Sequence, residues 1–227
     1  MKSLSSTLCL VCAAIALLTG CSSVSVLESR FYPPGKKLST PPKIYVTPYT
    51  FNEGSLKVDR DGEKLRAFQS EVSGQMAERL VPRLSKHIAP AVVLSGSESK
   101  PLKKSWVIEG EFTKINQGSR ALRSIIGFGL GGTKMETTTK VYLVGTGKKR
   151  DLVALIRTSG GSNAEPGAIA GGVFGAGPRA ILRAATSGVS SDSRRTARMI
   201  TATLSERLAA DGASLPGPPL RPKRPQN

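Results

Sequence analysis

The chain lacks most of what catalysis usually needs. It has one histidine, His87, among 227 residues. No Ser-His-Asp triad and no His-rich metal centre is read from a single imidazole, and HExxH is absent. His87 lies near the expected end of a long helix, where a polar or cationic group suits the helix dipole. Acidic residues number only 16, scattered along helices and strand faces, so no paired-carboxylate acid/base centre stands out. Aromatic residues make up 5% and are not interleaved with the basic ones as base-stacking platforms require. The three cysteines are Cys9, Cys12 and Cys21, and the first two fall in a leader, leaving no disulfide. These shortages point to a chain with no catalytic residues, no metal and no cofactor.

What is present is positive charge and an export address. Lys and Arg outnumber Asp and Glu by 33 to 16, giving +17, a surface that attracts anionic partners. Met1-Lys2 and the apolar run Leu8 to Leu18 have the form of a signal peptide, too short for a membrane span. Leu18-Thr19-Gly20-Cys21 then has the form of a lipobox: a branched residue, two small residues, and a cysteine whose thiol takes diacylglycerol. Acyl chains contribute about 0.8 kcal/mol per buried CH2, so several chains anchor stably. Cys21 is the expected lipidation site and residues 1–20 the leader. Ser22, in place of an Asp that would retain the protein at the inner membrane, favours an outer-membrane address facing the periplasm. Export argues against a nucleic-acid partner.

Downstream, residues 21–42 are polar with Pro33, Pro34, Pro41 and Pro42 and read as a tether. Lys43 to Tyr49 reads as a first strand, with Pro48 at its end or on a sheet edge. Asp61 to Ile88 repeats Leu65, Phe68, Val72, Met76, Leu80 and Leu84 at helical steps. Asp59 or Asp61 would cap this helix, and Pro82 would kink or split it. Ala91 to Leu94 is a short apolar run. Ser105 to Asn116, Lys134 to Val144 and Leu152 to Thr158 alternate as half-buried strands and form an antiparallel meander. Ser190 to Asp211 is a closing helix stopped by Gly212. Residues 212–227 carry five prolines and read as a disordered tail. The expected fold is α+β over 43–211: a mostly antiparallel sheet packed by a long N-terminal helix and a C-terminal helix.

Two glycine-rich segments interrupt this pattern. Gly127, Gly129 and Gly132 spell GxGxxG, but a strand follows where a dinucleotide site needs a helix. The stretch before them holds Arg120 and Arg123. It reads either as a long hairpin connection or as a surface element meeting an anionic partner or a neighbouring subunit. Gly167, Gly171 and Gly175 stand four apart between Pro166 and Pro178. They read as a Gly/Ala loop, as a packed helix, or as a short inserting segment.

From Trp106 to Lys140 the chain resembles a bacterial lipoprotein family, domain of unknown function 4410. The resemblance rests on the strand Val107-Ile108-Glu109-Gly110-Glu111-Phe112, the turn Gly118-Ser119-Arg120-Ala121-Leu122-Arg123, and the glycine run Gly127 to Gly131. Ser119 stands where the typical turn has Asn. Extended to residues 43–211, the resemblance implies a periplasm-facing lipoprotein with a small α/β domain and no known activity. The resulting expectation is a non-catalytic envelope lipoprotein that binds an envelope protein, anionic lipid or cell-wall partner. The alternative is an oligomeric secretion or pore component assembled through the glycine-rich segments.

Overall fold

The computed structural model describes residues 23–58, 60–94, 100–116, 133–145, 149–162 and 178–225. In chain order the elements are β1 (Ser23–Phe31), β2 (Ile44–Val46), β3 (Thr50–Phe51), β4 (Leu56–Lys57), α1 (Gly62–His87), β5 (Ala91–Val93), β6 (Trp106–Asn116), β7 (Thr133–Val144), β8 (Arg150–Ser162) and α2 (Pro178–Ala210). The fold is α+β, one sheet in the order β1-β8-β7-β6-β2-β5 with both helices packed on it.

The meander is as expected: β6, β7 and β8 pair antiparallel in sequence. The other half of the sheet is not antiparallel. β2 lies between β5 and β6 and runs parallel to both, and β3 and β4 continue alongside β6 in the same sense. The reason is α1. A 26-residue helix carries the chain back to the end of the sheet where β2 began, so the next strand must run parallel to β2. The sheet is therefore mixed.

Alternation decides which face is covered. On β6, Trp106, Ile108, Phe112 and Ile115 are buried while Glu109 and Glu111 are half-exposed. The buried side meets Phe68, Val72, Met76, Leu80 and Leu84 of α1 and Ala197, Ile200, Leu204 and Leu208 of α2 in one core. The β7 contribution to this core is threonine-rich, and its hydroxyls are satisfied in pairs. Thr137 and Thr158 share a hydrogen bond of 2.8 Å, as do Tyr49 and Thr139. Pairing of this kind is what makes buried hydroxyls affordable.

Several boundaries differ from expectation. Residues 23–31 of the expected tether are strand β1, paired antiparallel with β8 and burying Val24 and Val26. Two alternating valines suffice there, a pattern masked in the sequence by the polar and proline-rich residues around it. α1 runs through Pro82 as one helix. The carbonyl that Pro82 leaves unbonded belongs to Glu78, which is exposed and open to water, while Leu80 and Leu84 are locked in the core. Asp61 is the N-cap, but its side chain makes no capping bond; Asp59 lies outside the described residues. α2 starts at Pro178 rather than Ser190. Proline suits a first helical turn, and Ala180 to Ala185 is rich in good helix formers. Its end is as expected: Gly212 has φ +82° and the Ala213 amide donates to the Leu208 carbonyl at 2.9 Å.

The expected disordered tail is docked over residues 212–225. The His87 Nδ1 donates to the Pro218 carbonyl at 3.1 Å, the Leu220 amide to Ser205 Oγ at 3.1 Å, and the Val26 amide to the Lys223 carbonyl at 2.7 Å. Prolines lose little chain entropy on ordering, and the tail satisfies an outward-facing amide of edge strand β1.

Candidate functional site

Cys21, Arg120, Arg123, Gly127, Gly129, Gly167, Gly171 and Gly175 all lie outside the described residues. The strands that flank them fix where those segments join the sheet. Ser23 pairs with Gly161, Gly161 pairs with Lys134, Lys134 pairs with Asn116, and Thr133 pairs with Ser162. The start of β1, the end of β6, the start of β7 and the end of β8 are therefore neighbours at one end of the sheet. Cys21 precedes this row by two residues, and both glycine-rich segments depart from it.

That end is tightly built. A Cβ on Gly161 would sit 2.0 Å from the Thr133 carbonyl oxygen, so only glycine permits the approach of β7 and β8 there. Thr133 Oγ1 donates to Asp192 Oδ2 at 2.5 Å, and Arg195 lies 3.5 Å from the other carboxylate oxygen. The Thr133 bond fastens α2 to the sheet end, and Arg195, one turn along the same helix, pairs with the Asp192 carboxylate. Strand β7 begins immediately after Gly132, which agrees with the reading that rejected a dinucleotide site.

Several of the remaining charged groups are held in ion pairs. On the sheet face away from the helices Arg150 pairs with Glu109 at 2.6 Å, Lys134 with Glu136 at 2.7 Å, and Arg157 with Glu28 at 3.5 Å. The hydrogen bond from Lys134 holds the Glu136 carboxyl below the usual carboxylate range. Carboxylates kept ionised in this way are poor proton donors. At the far end of α2, Asp211 accepts from the Leu38 amide at 2.8 Å and from Arg207 Nε at 2.7 Å. The backbone bond, ahead of the arginine, lowers its pKa. A recess of about 410 Å³ beside it is lined by residues 38–40 and 211–214. His87 is buried against the tail. Among the described residues no three His, Cys, Asp or Glu side chains converge, and no helix is long and apolar enough to cross a membrane.

One group of side chains was not anticipated as a unit. Arg79 and Arg83 lie one turn apart on α1, and Arg79 Nη2 donates to Ser190 Oγ of α2 at 3.2 Å, in the same helical row as Arg194 and Arg198. In the sequence Arg194 stands in the basic pair Arg194-Arg195. The available signal was the four-residue spacing of arginines on each helix, which stacks them on one helical face; their meeting depends on packing between distant segments.

Comparison with known proteins assigns no activity. No curated protein matches the chain. A solved structure, the hypothetical protein CT253 from Chlamydia trachomatis, aligns over 75% of this chain and 99% of that one at 11% identity, with a TM-score of 0.43. The model of the domain of unknown function DUF4410 matches residues 44–180, well over half of the sequence, and the chain belongs to that family.

Proposed function

We propose that the protein is a non-catalytic envelope lipoprotein, anchored by acyl chains on Cys21, whose α+β domain binds an envelope partner at the membrane surface. The observation that carries this reading joins sequence and fold. The lipobox cysteine stands two residues before β1, whose Val24 and Val26 are buried in the core. Two residues span at most about 7 Å, so a lipid on Cys21 holds the sheet end close to the bilayer instead of on a long tether. Ser22, in place of a retaining Asp, makes the periplasmic face of the outer membrane the proposed address.

A second reading, an oligomeric secretion or pore component, draws on the same geometry. Segments 117–132 and 163–177 both depart from the anchor end of the sheet, where they would meet the bilayer or a neighbouring copy. Native mass of the detergent-extracted protein separates the two: a discrete large ring supports the second reading, a monomer or dimer the first. For the anchor itself, Cys21→Ala is expected to move the protein out of the acylated membrane fraction and abolish incorporation of labelled palmitate. Labelling that survives the substitution refutes the anchor.

A further inference from the structure

The basic residues of this chain do not share one fate. Lys134, Lys149, Arg150, Arg157, Arg195, Arg207 and Arg224 each lie against a carboxylate. Arg79, Arg83, Arg194 and Arg198, like many other Lys and Arg side chains, have no such partner among the described residues; what sets these four apart is that they are gathered at one place. Arg79 reaches Ser190 of α2 at 3.2 Å, and four-residue spacing sets Arg83 one turn beyond Arg79 on α1 and Arg194 and Arg198 in the row of Ser190 on α2. Arg79 and Arg83 are half-buried, while Arg194 and Arg198 are exposed. Partial burial and then repulsion from Arg198, Arg194 and Arg79 hold Arg83 below the usual arginine range. Four like charges gathered at a helix interface oppose its packing unless an anion joins them.

We propose that Arg79, Arg83, Arg194 and Arg198 form a binding site for a phosphate-bearing lipid headgroup. Guanidinium forks match phosphate oxygens in pairs, and four forks from two helices exceed what one carboxylate can occupy. A phosphomonoester offers close to two charges and three acceptor oxygens. Position supplies the source. Ser190, which receives the Arg79 bond, is two residues from Asp192, which holds Thr133 at the sheet end where β1 begins. Helix rise separates Ser190 and Asp192 by about 3 Å. The choice of a membrane source rests on the Cys21 anchor, whereas the anion chemistry stands without it.

The test uses the full lipidated chain in mild non-ionic detergent and soluble short-chain lipids, with binding followed by calorimetry at two salt concentrations. Dihexanoyl phosphatidic acid is expected to bind and dihexanoyl phosphatidylcholine not to. Arg83→Ala and Arg198→Ala should each weaken phosphatidic acid binding about tenfold or more, with Arg83→Lys between these and the parent. Arg157→Ala, on the sheet face away from the helices, should bind as the parent does. Thermal melts establish that each variant is folded, and raised salt should weaken binding. Inorganic pyrophosphate and a single-stranded oligonucleotide are the competing probes. Pyrophosphate binding without phosphatidic acid binding overturns the lipid assignment, as does tighter binding of the oligonucleotide. Equal losses in Arg157→Ala and Arg83→Ala overturn the site. Because these measurements do not read acylation, their failure is distinct from failure of the palmitate labelling.

Discussion

Gly110 sets a sharp test of how the centre of the sheet is packed. It lies in β6 opposite Thr139 of β7, and the Tyr49 ring, 1% exposed, lies over it. A Cβ at this position would be 2.1 Å from two ring carbons of Tyr49, where ordinary carbon contacts are about 3.5–4.0 Å. The ring would have to move by roughly 1.5 Å to restore such a contact. Phe112 stands behind it at a centroid distance of 5.4 Å, and Thr139 holds its hydroxyl at 2.8 Å. Overpacking of a core costs about 1–3 kcal/mol, and loss of the buried hydroxyl bond adds about 1 kcal/mol. Gly110→Ala is therefore expected to destabilise by about 3 kcal/mol, lowering the melting temperature by about 6–12 °C for a chain of this size. Urea denaturation followed by circular dichroism measures it. Tyr49→Leu removes the clashing ring, so the double variant should be more stable than the sum of the single effects by about 2 kcal/mol. Gly110→Ala within about 0.5 kcal/mol of the parent, or strict additivity in the double variant, would refute the clash.

Two further predictions concern the ends of the domain, beside those on Cys21 and the arginine group. Ending the chain after Gly217 removes the tail contacts to His87, Ser205 and Val26 and should cost about 2 kcal/mol in urea denaturation; unchanged stability would show that the tail does not hold the edge of β1. The Asp211 carboxyl has a folded pKa below its ordinary value, first through the Leu38 amide. Its contribution is therefore fully present above the unfolded carboxylate pKa and lost as pH falls through the folded one. Asp211→Asn should lower stability by about 1 kcal/mol at pH 7, with the gap to the parent closing as both side chains become uncharged in acid. A gap that stays constant from neutral pH to about pH 2.5 would refute this assignment.

The motif segment from Val107 to Phe112 acquires a physical account from the same packing. Gly110 makes room for Tyr49, and Tyr49 in turn lies against Phe112, which also meets Phe51 at 4.9 Å. A small residue two places before an aromatic one on the same strand face therefore accommodates a ring arriving from the β2–β3 connection. The identity of that ring is not a local property. Tyr49 reaches Gly110 only because β2 and β3 run parallel to β6.

Local chemistry was enough to read the apolar stripe of α1, the glycine stop of α2 and the alternation of β6 and β7. Each is a repeat or a steric requirement contained within a few neighbouring residues. Tertiary structure decided what depends on partners far away in the chain. β1 is a strand because β8 supplies its hydrogen bonds, and the tail is docked because α1 and β1 offer it donors and α2 an acceptor. The parallel half of the sheet follows from the return path of α1. The arginine group exists only where α1 and α2 pack, joining Arg79 to a residue 111 positions away. Periodicity reports which face of an element is buried. It does not report which distant element buries it, and both the direction of β5 and the convergence of four arginines are set by that second fact.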